Sequence, residues 1–121
     1  MRKGSFRTLD AYRKGKELVM LVYSLLKKFP KEEQYAICDQ LRRAVISVTS
    51  NIAEGYGRES VKEKVHFLDI SYGSLMEVLS QMDVACDLGY ITHDDLDCIE
   101  KVSFDCSRLI IGLKAYYGKR S

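Results

Sequence analysis

Residues 60–89 read SVKEKVHFLDISYGSLMEVLSQMDVACDLG, and this stretch decides the fold. Val61, Val65, Leu68, Tyr72, Leu75, Leu79, Met82 and Cys86 step by four and three without a miss, the spacing that lines up apolar side chains on one face of an α-helix. Ser60 and Glu63 make an S-x-x-E capping box at its start. Gly89 stands just past the last turn, where a residue that tolerates a left-handed backbone can stop a helix. The spacing predicts a helix over Ser60–Leu88, with a stripe that must be buried against other elements.

Working outward, the flanking segments supply those elements. Downstream, Thr92 is placed to cap a helix whose first turn holds Asp94 and Asp95, acids that complement the helix dipole. Leu96, Ile99, Cys106, Ile110 and Leu113 share its face to about Tyr117, interrupted by Ser103. Upstream, Phe29-Pro30-Lys31-Glu32-Glu33 opens a helix predicted over Pro30–Tyr56, with Cys38, Leu41, Val45, Val48 and Ile52 in a heptad pattern and Gly55-Tyr56-Gly57 at its end. A first helix is predicted from Leu9 to Lys28, with Asp10 as its cap and Leu18, Val22, Leu25 and Phe29 on one face. Val19, Met20, Leu21 and Leu26 are apolar too, so this face is wider than one core needs, and another subunit is expected on the surplus. Long helices with short links pack as an antiparallel up-down four-helix bundle. The expectation is an all-α fold, one domain over residues 1–121.

Composition agrees. Among 121 residues there is one proline and no tryptophan, while 46% are hydrophobic and 30% charged. Proline-poor chains with this apolar content suit helices, not turn-rich sandwiches, collagen or disordered tails. The longest apolar run, Leu18–Val22, is far short of the roughly 20 residues of a membrane span. The basic start is not followed by a signal-peptide core, so no membrane partner and a cytoplasmic location are expected. Cys38, Cys86, Cys98 and Cys106 have no C-x-x-C spacing and sit in helical apolar patterns, so they read as reduced core thiols.

The net charge of +2 conceals a polarity. Residues 1–64 hold 14 Lys and Arg against 8 Asp and Glu, whereas residues 65–121 hold 5 against 9. Either a basic face meets polyanions, or basic and acidic helices pair within or between subunits.

No reaction centre emerges. Glu63 and His66 make one Glu-x-x-His pair, but the carboxylate bundles need a second, and His93 has no His or Cys at ligand spacing. No serine lies in a G-x-S-x-G elbow, and Gly55-Tyr56-Gly57 follows a helix, not the strand that phosphate loops require. The expectation is no catalytic residue, no metal, no cofactor and no small-molecule substrate.

Two constellations remain. Arg43, Ser47, Ser50 and Glu54 fall on one face of the second helix at steps of four, three and four, in a segment dense in Ser, Thr and Asn. Small polar residues there favour a close helix crossing, with a strip for an RNA or protein partner as the alternative. Gly15, Gly73 and Gly112 fit the same crossing, since a mid-helix glycine costs about 1 kcal/mol against alanine. Second, Arg42, Arg43, Arg58, Lys62 and Lys64 bracket the link between helices two and three. With the basic N-terminus, including Arg2, Lys3 and Arg7, they are candidate phosphate contacts at one pole of the bundle.

Beyond these patterns, Phe29-Pro30-Lys31-Glu32-Glu33, Gln40-Leu41-Arg42-Arg43-Ala44, Ser50-Asn51-Ile52-Ala53-Glu54-Gly55, Gly57-Arg58, Gly73-Ser74-Leu75-x-Glu77 and Leu88-Gly89-Tyr90 carry a resemblance. The chain resembles the bacterial four-helix bundle proteins encoded within 23S rRNA intervening sequences, sometimes labelled S23. The resemblance implies a ring-like homopentamer. It also implies similarity to the accessory variability proteins of diversity-generating retroelements, basic pentamers that bind nucleic acid and partner a reverse transcriptase. The expected function is a non-enzymatic oligomeric scaffold that binds RNA or nucleoprotein; the alternative is a structural homo-oligomer without nucleic-acid binding. The candidate subunit interface is Leu18, Val19, Met20 and Leu21 on the first helix with Ser47, Ser50 and Asn51 on the second.

Overall fold

The computed structural model describes residues 5–119, which form four α-helices: α1 (Asp10–Leu26), α2 (Ile37–Gly57), α3 (Val61–Asp87) and α4 (His93–Lys119). Contacts link α1 to α2, α2 to α3, α3 to α4 and α4 back to α1, so the helices close a ring around one core. Cross-helix pairs give the directions. Between α2 and α3, Gln40 meets Gln81, Ser47 meets Ser74 and Tyr56 meets Lys64. Between α1 and α4, Ala11 meets Cys106, while Lys28, just beyond α1, meets Asp95. One partner descends as the other ascends, so neighbours run antiparallel, as an up-down bundle requires.

Local chemistry sets the helix ends. Ser60 Oγ accepts from the Glu63 N–H at 3.1 Å, and Thr92 and Asp95 cap α4 reciprocally: Asp95 N–H donates to Thr92 Oγ1 and Thr92 N–H to Asp95 Oδ2, both at 3.0 Å. At the end of α3, Gly89 takes φ +81° while Tyr90 N–H reaches the Ala85 carbonyl at 2.9 Å. That left-handed turn satisfies the last carbonyls and is open to glycine at no steric cost.

Four expectations need correction here. Asp10 is the first residue of α1, not its cap; Leu9 holds the cap position with no side-chain hydrogen bond. The second helix starts at Ile37, not Pro30. Pro30 opens a short 3-10 turn over Lys31–Glu33, and Ala36, at φ −119° and ψ −107°, interrupts the helical ladder. The α3 stripe is rotated: Ser71 and Val78 are fully buried, while Tyr72 is exposed and Leu79 only half-buried. Ser71 can occupy the centre because it is small and its Oγ donates to the Val48 carbonyl at 2.7 Å, which satisfies the hydroxyl. The fourth correction concerns cysteine: Cys38, Cys86 and Cys106 are buried thiols, but Cys98 is exposed. Burial pushes the Cys106 thiol up to about 12, so it stays protonated.

The glycines also divide. A Cβ on Gly15 would lie 2.9 Å from the Thr49 Cγ2 methyl, and one on Gly55 would lie 3.1 Å from the Lys64 carbonyl oxygen. These two mark close crossings of α1 and α3 on α2. Gly73 and Gly112 face open space, contrary to the expectation of a crossing at each.

Candidate functional site

The polar strip of α2 turns inward. Ser47 Oγ and Ser74 Oγ share a hydrogen bond at 2.8 Å, and Asn51 Nδ2 donates to the Ser47 carbonyl at 2.8 Å and to Ser47 Oγ at 2.9 Å. Ser47 and Asn51, both half-buried, therefore serve the α2–α3 seam. Ser50 is exposed, in a shallow depression with Phe6, Ala53, Glu54, Gly57 and Arg58.

The α1 run divides by helical phase. Leu18 is fully buried in the core, which removes it from any subunit interface. Val19 and Leu21 are half-buried, and Met20 points out at 72% exposure. Tyr23, one turn on, is also exposed and lines a groove between α1 and α2 with Leu26, Lys27, Gln34 and Arg42.

The five candidate phosphate contacts do not form one cluster. Arg42 and Arg43 lie near the start of α2 and Arg58 just past its end, about 22 Å away along the axis. Arg42 is occupied: its guanidinium donates to the Gln34 carbonyl at 3.1 Å, Gln34 Oε1 at 2.7 Å and Asp39 Oδ1 at 3.1 Å. It ties down the non-helical connector before α2, whose backbone groups lack helical partners. Lys64 is occupied too. Its ammonium donates to the Tyr56 carbonyl at 2.9 Å and lies 4.9 Å from the Tyr117 ring centre, so it closes the end of α2. Arg58 sits between Glu54 at 2.8 Å and Glu63 at 3.6 Å, over the Phe67 ring. Arg43 and Lys62 are exposed, with no ion pair among the described residues. Arg2 and Lys3 lie outside the described residues.

Ring closure brings the turn before α1 beside the α2–α3 link, while Arg42 and Arg43 stand at the other end of the bundle. The turn at Phe6–Thr8 packs on α1 and α2, and Phe6 shares its depression with Arg58. Arg7, Lys62 and Lys119 are exposed on elements that end at this pole.

Sequence reasoning missed a second exposed apolar face. Tyr72 and Ile111 line a groove between α3 and α4 with Leu68, Asp69, Ile110 and Lys114, and Phe104, two turns before Ile111, is half exposed. The signal was available: Phe104 and Ile111 are large apolar residues off the Ile99–Cys106–Ile110 stripe. Among the described residues no group of three His, Cys, Asp or Glu is placed to hold a metal, and no helix is long and apolar enough to cross a membrane.

The family model of the 23S rRNA-intervening sequence protein matches residues 7–112. The chain belongs to that family. The family match spans all four helices, from the turn before α1 nearly to the end of α4. A similar solved structure is that of a protein with unknown function from the S23 ribosomal protein family of Bacteroides thetaiotaomicron VPI-5482. It superposes with a TM-score of 0.79 at 20% identity, over 86% of this chain and 97% of the other, which shows the shared fold. No curated protein matches the chain.

Proposed function

We propose that the chain is a non-enzymatic, cytoplasmic helical scaffold that assembles with copies of itself. Met20 carries this reading. A long apolar side chain at 72% exposure, beside Tyr23 and half-buried Val19, continues the core of α1 out to the surface. A contiguous exposed apolar surface is a candidate site for covering by a protein partner. Light scattering tests it: the unmodified chain runs at a multiple of 13.9 kDa, five-fold if the ring expected from the family resemblance forms. A mass of one chain overturns the reading.

A second reading, contact with RNA, is favoured by the gathering of exposed Arg7, Lys62 and Lys119 at one pole and by the family's association with 23S rRNA intervening sequences. Such contact weakens steeply between about 50 and 200 mM salt, because it releases counterions. Gel shifts with single-stranded and structured RNA test it. Arg7→Glu with Lys62→Glu abolishes the complex and leaves the oligomer intact. Absence of any complex at low salt removes this reading and leaves the first untouched.

A further inference from the structure

We propose that Cys86 and His93 form an open binding site for a thiophilic divalent cation such as Zn2+, which staples the end of α3 to the start of α4.

The fold supplies a pairing that spacing along the chain hides. His93 has no cysteine at ligand spacing in the sequence, yet the turn at 88–92 folds α4 back on α3 and sets the Cys86 thiol 3.6 Å from His93 Nδ1. Cys86 lies in the last turn of α3 and His93 is the first residue of α4, so each is held by the end of a long helix. Their separation suits a shared metal ion. With Zn–S of about 2.3 Å and Zn–N of about 2.1 Å, a tetrahedral angle places sulfur and nitrogen about 3.6 Å apart. In the metal-free chain the same distance serves a hydrogen bond between thiol and imidazole. Binding therefore asks for little movement. The thiol proton leaves to solvent, a Zn–S bond replaces it, Nδ1 lends its lone pair with the imidazole proton on Nε2, and no electron is transferred.

Access and charge fit a cation as well. His93 is exposed and Cys86 is 9% exposed, so an ion reaches both from solvent. Asp83 stands three residues before Cys86 and Asp97 four after His93, each on the helix face that carries the ligand. Neither carboxylate has an ion pair among the described residues. Burial first, then Asp87, Asp83, Asp95 and Asp97, hold the Cys86 thiol above its ordinary range, because a bare thiolate there is partly desolvated and among like charges. A divalent cation inverts that logic: the carboxylates that oppose the thiolate favour the metal. Two protein ligands leave the rest of the tetrahedron to water, in keeping with the absence of a placed third ligand among the described residues. His66 lies near the opposite end of α3 and Cys98 is exposed on α4, so these two serve as controls.

Co2+, a spectroscopic stand-in for Zn2+, tests the site on the full chain, reduced and free of chelator. The expected result is one ion per chain with a thiolate-to-cobalt absorption in the near ultraviolet, displaced by Zn2+, and a thermal midpoint that rises with Zn2+ concentration. Cys86→Ser abolishes the absorption. His93→Asn, at an exposed position where unchanged helical circular dichroism verifies the fold, weakens binding by about ten-fold or more. Cys98→Ser and His66→Asn bind as the unmodified chain does. Four results overturn the proposal: no thiolate absorption from the unmodified chain, an absorption that survives Cys86→Ser, unchanged affinity in His93→Asn, or loss of the absorption in Cys98→Ser, which places the metal on that thiol instead.

Discussion

Two strips of this molecule, adjacent in the bundle, have compositions that suggest the opposite of their placement. On α2, Ser47 and Asn51 look like surface, yet they close the α2–α3 seam through hydrogen bonds to each other and to Ser74. On α1, Met20 and Tyr23 look like core, yet they are exposed. The difference teaches that polarity reports burial only after hydrogen bonding is counted. A hydroxyl that finds a partner is cheap to bury and permits a closer approach than leucine would. A large apolar side chain left in solvent has no such compensation within the single chain.

The sharpest way to break this comparison is to truncate one member of each kind on α1. Leu18→Ala is expected to destabilise the chain by about 2–5 kcal/mol in urea unfolding, because a fully buried leucine leaves a cavity. Met20→Ala is expected to change the stability of the separated chain by no more than about 0.5 kcal/mol while weakening assembly. If Met20→Ala costs as much as Leu18→Ala without any loss of assembly, Met20 packs within its own bundle.

Glycines sharpen the contrast between seams and flanks. Gly15→Ala drives a methyl against the stiff, β-branched Thr49 and is expected to cost about 1–3 kcal/mol. Gly73→Ala meets nothing and is expected to gain about 0.5–1 kcal/mol from reduced freedom of the unfolded chain. Equal effects from the two would mean that the α1–α2 crossing is not close.

The smallest effect concerns the cap that joins α1 to α4. The hydrogen bond from Lys28, followed by those from Thr92, holds the Asp95 carboxyl below its ordinary value. A depressed folded value stabilises above the ordinary carboxylate range, and that contribution is lost as pH falls through the depressed value. Asp95→Asn is therefore expected to cost about 1 kcal/mol near neutrality, with the gap to the unmodified chain closing in acid. A gap that persists at low pH would place the effect outside the ionisation of Asp95.

These contrasts show how far the sequence could be read. The helices were legible where a stripe and a cap agreed, as with Ser60 before α3 and Thr92 before α4. The start of α2 was not, because Pro30 suits a 3-10 turn as well as an α-helix, and Ala36 departs from helical geometry in a way no local motif announces. The phosphate-contact set was legible only as a charge count. Whether a lysine reaches solvent or folds back on a helix end depends on its neighbours in space, and Lys64 turned to the Tyr56 carbonyl. The wide face of α1 did signal exposed apolar surface, but at Met20 and not at Leu18, because helical phase separates residues two apart by more than half a turn.

The central proposal is that exposed Met20 is covered by another copy of the chain. Peroxide oxidation followed by peptide mass spectrometry measures it directly, in the unmodified chain at high concentration and after dilution. The account predicts that Met20 is protected at high concentration and oxidises readily on dilution. Oxidation of Met20 at the same rate at both concentrations would contradict it.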